Sequence, residues 1–203
     1  LLGDEELIRN KIGKKMPKNI EIKHTSEVVT ADAPFVEDFE SFAAGATSFG
    51  CWTMTTSATI SVKDSYEYKV SYKDENYNTL DSTVQCTPTS GEKMLYSDHR
   101  NGNLWLLKAV ELEAGKNYSI SASVRYCYGG SSTAATISFA VGTTTDIASA
   151  TKVLDKHEVV FNAGWERAVG YFSVETAGTY YVAFNTVGYY MLVDDVTIKV
   201  EDI

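Results

Sequence analysis

The run Tyr190-Met191-Leu192-Val193-Asp194-Asp195-Val196-Thr197-Ile198-Lys199-Val200 decides the reading of this chain. Val196, Ile198 and Val200 alternate with polar residues, which is the period of a half-buried strand. Two adjacent carboxylates interrupt it. Neighbouring acids repel each other and resist burial, so something must compensate them, and a bound cation is the simplest compensation. The run therefore predicts a calcium-stiffened, two-sheet β module.

The same period recurs upstream. Tyr118, Ile120, Ala122, Val124 and Tyr126 share one face of a strand, with Ser119, Ser121, Ser123 and Arg125 on the other. Ala135, Ile137, Phe139 and Val141 repeat the pattern, as do Tyr180, Val182 and Phe184. Turn residues separate these runs at Glu113-Ala114-Gly115-Lys116-Asn117, Gly129-Gly130-Ser131-Ser132 and Thr176-Ala177-Gly178. Many alternating strands joined by short turns predict an all-β, two-sheet antiparallel sandwich with one shared core.

Residues 1–34 read differently. A short helix is expected over Asp4–Ile12, with acids in its first turn, and a strand over Ile20–His24. Pro34 marks a boundary, because the residue before a proline is steered out of helix. Phe35-Val36-Glu37-Asp38-Phe39-Glu40 then reads as the opening strand. The expected organisation is a linker or tail of a preceding domain over 1–34, packed on a β-sandwich over 35–203.

Composition narrows the function. The 203 residues carry a net charge of -9, which argues against a nucleic-acid partner, since phosphate binding needs clustered Lys and Arg. The one dense basic run, Arg9–Lys15, reads as a solvated helix face or linker. The three cysteines, Cys51, Cys86 and Cys127, match no zinc or redox motif, and their pairing stays open between one disulfide with a free thiol and three buried thiols. No apolar run is long enough to insert in a bilayer and none reads as a secretory leader, so export is expected to be encoded upstream of Leu1.

Three stretches together resemble the cleaved-adhesin (choice-of-anchor J) domains of Bacteroidetes. They are Pro34–Ser41 with Trp52; Leu104-Trp105-Leu106 with Val110–Ser121; and Trp165 with Ala177–Phe184 and Val193–Ile198. The middle stretch is also similar to jelly-roll carbohydrate-binding modules. The resemblance spans roughly residues 34–200. Ala109 stands where the usual Trp-Leu-x-x-Pro motif has its proline, and the cysteines are not a hallmark of the group. The resemblance implies a jelly roll on a secreted or cell-surface bacterial protein, as one module among several. It also implies adhesion to a glycan or host surface protein, and a structural calcium.

Candidate metal ligands are Glu40, Asp38, Asp194 and Asp195. The resemblance maps the site to Glu40 and Asp195. Parity leaves Asp194 open as well, since facing Val196 and Ile198 to the core turns Asp194 inward unless a bulge intervenes. Glycan binding would use rings that stack on sugar faces, and Tyr126, Tyr128 and Tyr189 are the candidates among 13 tyrosines. Trp52, Trp105 and Trp165 read as core. The acidic loop Asp98–Asn103 reads as an ordinary turn. Neither H-E-x-x-H nor G-x-S-x-G occurs, and nothing selects Glu37 and Glu40 as a glycosidase pair, so no enzymatic activity is expected. A structural spacer without a ligand is the alternative function.

Overall fold

The computed structural model describes residues 26–50, 52–127, 134–161 and 164–202. Among these residues the chain forms strands and no helix. The strands are β1 (Glu27–Val28), β2 (Phe35–Glu37), β3 (Trp52–Met54), β4 (Ile60–Lys63), β5 (Tyr66–Lys73), β6 (Thr79–Cys86), β7 (Met94–His99), β8 (Leu106–Leu112), β9 (Lys116–Tyr126), β10 (Ala135–Gly142), β11 (Thr151–Val159), β12 (Glu166–Val174) and β13 (Gly178–Glu201). The helix expected over residues 4–12 and the strand expected over 20–24 lie outside the described residues.

Two sheets face each other, as the alternation predicts. The first runs β8, β13, β10, β11, with β1 and β3 on the free side of β8. The second runs β12, β9, β13, with β7 and β2 along the far side of β13 and β4 beyond β7. All these pairings are antiparallel except β1 with β8. Between the sheets lie Ile120, Val124, Phe139, Phe184, Val193, Val196 and Ile198. Burying each such side chain stabilises the fold by roughly 1.5–3 kcal/mol.

β13 belongs to both sheets. It pairs with β10 as far as Val187 and with β7 from Gly188 onward. The crossing needs a glycine, because a Cβ at Gly188 would lie 2.7 Å from the Cβ of Ala135. Tyr190, just past the crossing, has φ 50.

The outer face of the second sheet is less open than its serines suggest. Ser119, Ser121 and Ser123 are buried. Arg167 lies over two of them and donates to Ser121 Oγ (2.7 Å), Ser123 Oγ (3.2 Å), Thr197 Oγ1 (3.1 Å) and the Asp195 carbonyl (2.9 Å). The hairpin β5–β6 forms a separate two-stranded sheet, and its residues Tyr66, Tyr68, Val70, Val84 and Cys86 pack with Met94, Cys127 and Leu192 on that outer face.

Residues 26–34 join the sandwich. β1 hydrogen-bonds to β8, and Val29 is fully buried. Glu27 also meets the buried Lys108, at 3.1 Å. The opening strand is shorter than the sequence suggests. It stops at Glu37 because Phe39 takes a left-handed conformation, φ 60, held by a hydrogen bond from its N–H to Glu37 Oε1.

Candidate functional site

The first and last strands run side by side, with Glu37 opposite Val196 and Phe35 opposite Ile198. A bulge in β13 settles the parity of the two acids. Four residues of β13, from Asp194 to Thr197, span three residues of β9, from Ser123 to Ser121. The extra residue lets both Val193 and Val196 face the core. Asp194 therefore shares the outer face with Leu192, not the inward face that uninterrupted alternation requires. Asp195 sits in the bulge with φ 49.

All three acids of these strand ends reach one loop, residues 89–93. Asp194 Oδ2 accepts from the N–H of Thr89 (2.8 Å), the hydroxyl of Thr89 (2.8 Å) and the N–H of Ser90 (3.3 Å). Asp195 accepts from the Ser90 hydroxyl at 2.6 Å and lies 2.8 Å from the Thr89 hydroxyl. Glu40 Oε1 accepts from the N–H groups of Glu92 (2.7 Å) and Lys93 (2.6 Å). Asp38 Oδ1 accepts locally from the N–H of Glu40 at 3.1 Å. Where the sequence expects a cation, loop donors face these carboxylates. Among the described residues no group of three or more His, Cys, Asp or Glu is placed to hold a metal ion.

Electrostatics separate the two neighbouring aspartates. Asp194 is fully buried, and desolvation pushes its carboxyl above the usual range. The Thr89 and Ser90 donors oppose that shift and the charge of Asp195 adds to it. Thr89 has one hydroxyl proton and two carboxylate neighbours at 2.8 Å. Its second contact becomes a hydrogen bond when one carboxyl carries a proton.

Glu37 is a structural acid that sequence reasoning passed over. Oε1 accepts from Phe39 N–H and Oε2 accepts from Trp52 Nε1, each at 2.9 Å. Burial raises its carboxyl above the ordinary value, against the pull of those bonds. Its inward position in β2 opposite Val196 was readable from alternation; its partner Trp52 was not.

The tyrosines divide. Tyr126 is 1% exposed and belongs to the core, with the exposed Phe161 ring edge-on to it, so its ring offers no face to a sugar and the sequence assignment is corrected. Its parity with Val124 already pointed inward. Tyr128 lies outside the described residues. Tyr189 is half-buried, with the Arg100 guanidinium 3.4 Å from its ring centre.

Next to Tyr189 lies a cluster that sequence reading did not assemble. Tyr66 is 5.2 Å from Tyr96 and 6.1 Å from Tyr190, centre to centre, and Tyr190 is 6.0 Å from Tyr189. All four rings are half-buried. Lys63 Nζ stands 4.8 Å over Tyr96. Desolvation pushes the Tyr96 phenol up to about 12, so it is a neutral donor at physiological pH. Trp165, expected in the core, is half-buried against the same cluster and donates its indole N–H to Thr87 O at 3.0 Å. Trp52 and Trp105 are buried as expected. Elsewhere, a cleft of about 280 Å³ lies where β10 and β12 end and β11 begins; it is lined by Val141, Val153, Phe172 and Val174 alternating with polar groups such as Thr143, Ser149, Thr151 and Ser173, and has Glu175 as its charged group.

No protein-family model matches this chain, and no curated protein matches it. Solved structures do. One is the CBM22-1 xylan-binding domain of Xyn10C from Paenibacillus barcinonensis, at a TM-score of 0.51 and 13% identity, covering 88% of this chain and 99% of that one. Another is the C-terminal family 22 carbohydrate-binding module of Xyn10B from Clostridium thermocellum, at a TM-score of 0.50 and 17% identity, covering 82% and 92%. The fold is similar to theirs. At such identity the likeness speaks for the jelly-roll architecture and not for the ligand.

Proposed function

We propose that this chain is a non-catalytic glycan-binding module of a secreted or cell-surface bacterial protein, with adhesion as its role. The observation that carries the reading is the half-buried group Tyr66, Tyr96 and Tyr190 on the outer face of the second sheet, with Tyr189 beside it, packed against the sandwich core. Aromatic rings flanked by Lys63 and Arg100 offer both a stacking surface and hydroxyl-bonding donors. The jelly-roll fold shared with xylan-binding modules and the cleaved-adhesin resemblance support it. Among the described residues no helix is long and apolar enough to cross a membrane. Absence of catalysis is supported by Glu37, which is buried and uses its two oxygens to hold Phe39 N–H and the Trp52 indole, a structural role rather than that of an acid pair with Glu40.

The test is a broad glycan array with the 203-residue chain, followed by affinity electrophoresis in xylan. Binding that Tyr96→Ala and Tyr190→Ala weaken supports the reading. No binding across the array moves the assignment to a structural spacer, which the cover of β5–β6 over part of this face favours. Hydrolysis of the bound polysaccharide would overturn the non-catalytic part.

Calcium held by Glu40, Asp38, Asp194 and Asp195 is a separate proposal. The gathering of Glu40, Asp194 and Asp195 on one loop supports it; the N–H and O–H donors already facing their oxygens oppose it. Stabilisation by roughly RT ln(1 + [Ca²⁺]/Kd) is the expected signature, and an unchanged melting temperature in chelator rejects it.

A further inference from the structure

Cys86 and Cys127 are both fully buried, and their sulfur atoms lie 3.4 Å apart. Cys86 is the last residue of β6, and Cys127 follows β9, where its N–H donates to Tyr190 O at 3.1 Å. The sequence left open one disulfide with a free thiol or three buried thiols; the fold brings this pair together. We propose that Cys86 and Cys127 form a disulfide when the chain folds in an oxidising environment, and that the bond fastens the β5–β6 hairpin to the second sheet.

The hairpin is where a covalent link has most to do. Its strands bond to each other and to no other strand among the described residues. A two-stranded hairpin is marginal by itself, so this one depends on side-chain packing against Met94 and Leu192. Cys86 stands opposite Tyr66 in the ladder. A bond at Cys86 therefore holds Tyr66 against Tyr96 and Tyr190, whether or not the face they form binds a glycan.

The chemistry is thiol–disulfide exchange with an external disulfide, such as oxidised glutathione or the disulfide of a protein oxidase. One cysteine thiolate attacks that disulfide, forming a mixed disulfide and releasing one thiol. The second cysteine thiolate then attacks the protein sulfur of the mixed disulfide. The Cys86–Cys127 bond forms and the second thiol leaves. Two electrons pass from the cysteine pair to the oxidant, and the two protons end on the released thiols. Burial pushes the Cys127 thiol well above its ordinary value, and Cys86 beside it adds to the shift. Thiolate is therefore scarce in the closed fold, so exchange belongs to folding, before the hairpin seats.

The 203-residue chain is refolded in a glutathione redox buffer, denatured without reductant and alkylated. One alkylated thiol is expected, rising to three after reduction, and non-reducing peptide mapping should join the peptides of Cys86 and Cys127. Cys51→Ser should keep that link and leave no thiol, whereas Cys127→Ser should leave two. Three thiols before reduction, or a link through Cys51, overturns the proposal. With the bond mapped, reduction should lower the melting temperature by about 10 °C, given a closed loop of roughly 40 residues. An unchanged melting temperature would overturn the fastening role.

Discussion

Gly91 closes over Glu40 so tightly that a Cβ on Gly91 would lie 2.6 Å from Glu40 Cδ. Gly91 also has φ 56, which an L side chain adopts at a cost. Together the two residues turn the 91–93 backbone around one carboxylate oxygen, which takes the N–H groups of Glu92 and Lys93.

Gly91→Ala should therefore destabilise the fold by about 3 kcal/mol, from backbone strain plus overpacking. Glu40→Ala should cost about 2 kcal/mol through two lost charge-assisted hydrogen bonds. Combined, the two should cost clearly less than their sum, because removing Glu40 relieves the collision. Urea unfolding of the four proteins measures this coupling, and strict additivity would contradict it.

Asp194 supplies a pH dependence. Burial raises its folded pKa above the ordinary 3.8, so the folded state holds the proton more tightly than the unfolded chain does. The stability contributed by that proton is fully present below pH 3.8 and is lost as pH rises through the folded value. Relative to Asp194→Asn, the parent chain should thus gain stability as pH falls from 7 toward 4. Melting temperatures of both proteins across that range check the sign. Glu37, raised above 4.5 by burial, acts in the same direction, so the comparison with Asp194→Asn isolates one group.

Gly188→Ala should be among the most damaging single substitutions. Its new Cβ would meet the Cβ of Ala135 at 2.7 Å and the backbone at 3.2 Å, where β13 leaves one sheet for the other. A loss of about 3 kcal/mol or more is expected in denaturant unfolding. Gly115→Ala makes a useful contrast: φ there is +72, but a Cβ meets nothing within 4 Å, so only the backbone term of about 1 kcal/mol applies.

If the tyrosine face binds a glycan, Tyr96→Ala and Tyr190→Ala should each weaken binding by roughly 5- to 30-fold, the loss of about 1–2 kcal/mol of ring contact. Titration calorimetry against the best array hit measures it. Tyr171→Ala, which removes an exposed tyrosine outside the cluster, should leave the affinity unchanged.

Much of the architecture was readable from local pattern. Tyr118 to Tyr126 alternate as a strand must, and their inward set is the core set. The closeness of the two chain ends was implied by placing Glu40 and Asp194–Asp195 at one candidate site, and β2 does pair with β13. What failed was strict alternation through Asp194, because a bulge adds a residue that no period can count. Tyr126 failed as a sugar contact for the opposite reason: its parity was right, and the attraction of a strand end beside a loop outweighed it.

The sequence by itself determined an all-β sandwich, because side chains alternate across a strand and that pattern is carried by neighbours in the chain. Tertiary structure alone decided what the acids bond to, which tyrosines meet and which cysteines touch. Asp194 and Thr89 are 105 residues apart, and Cys86 and Cys127 are 41 apart. Only the folding of the sheets brings such partners within the few ångströms over which hydrogen bonds and sulfur chemistry act.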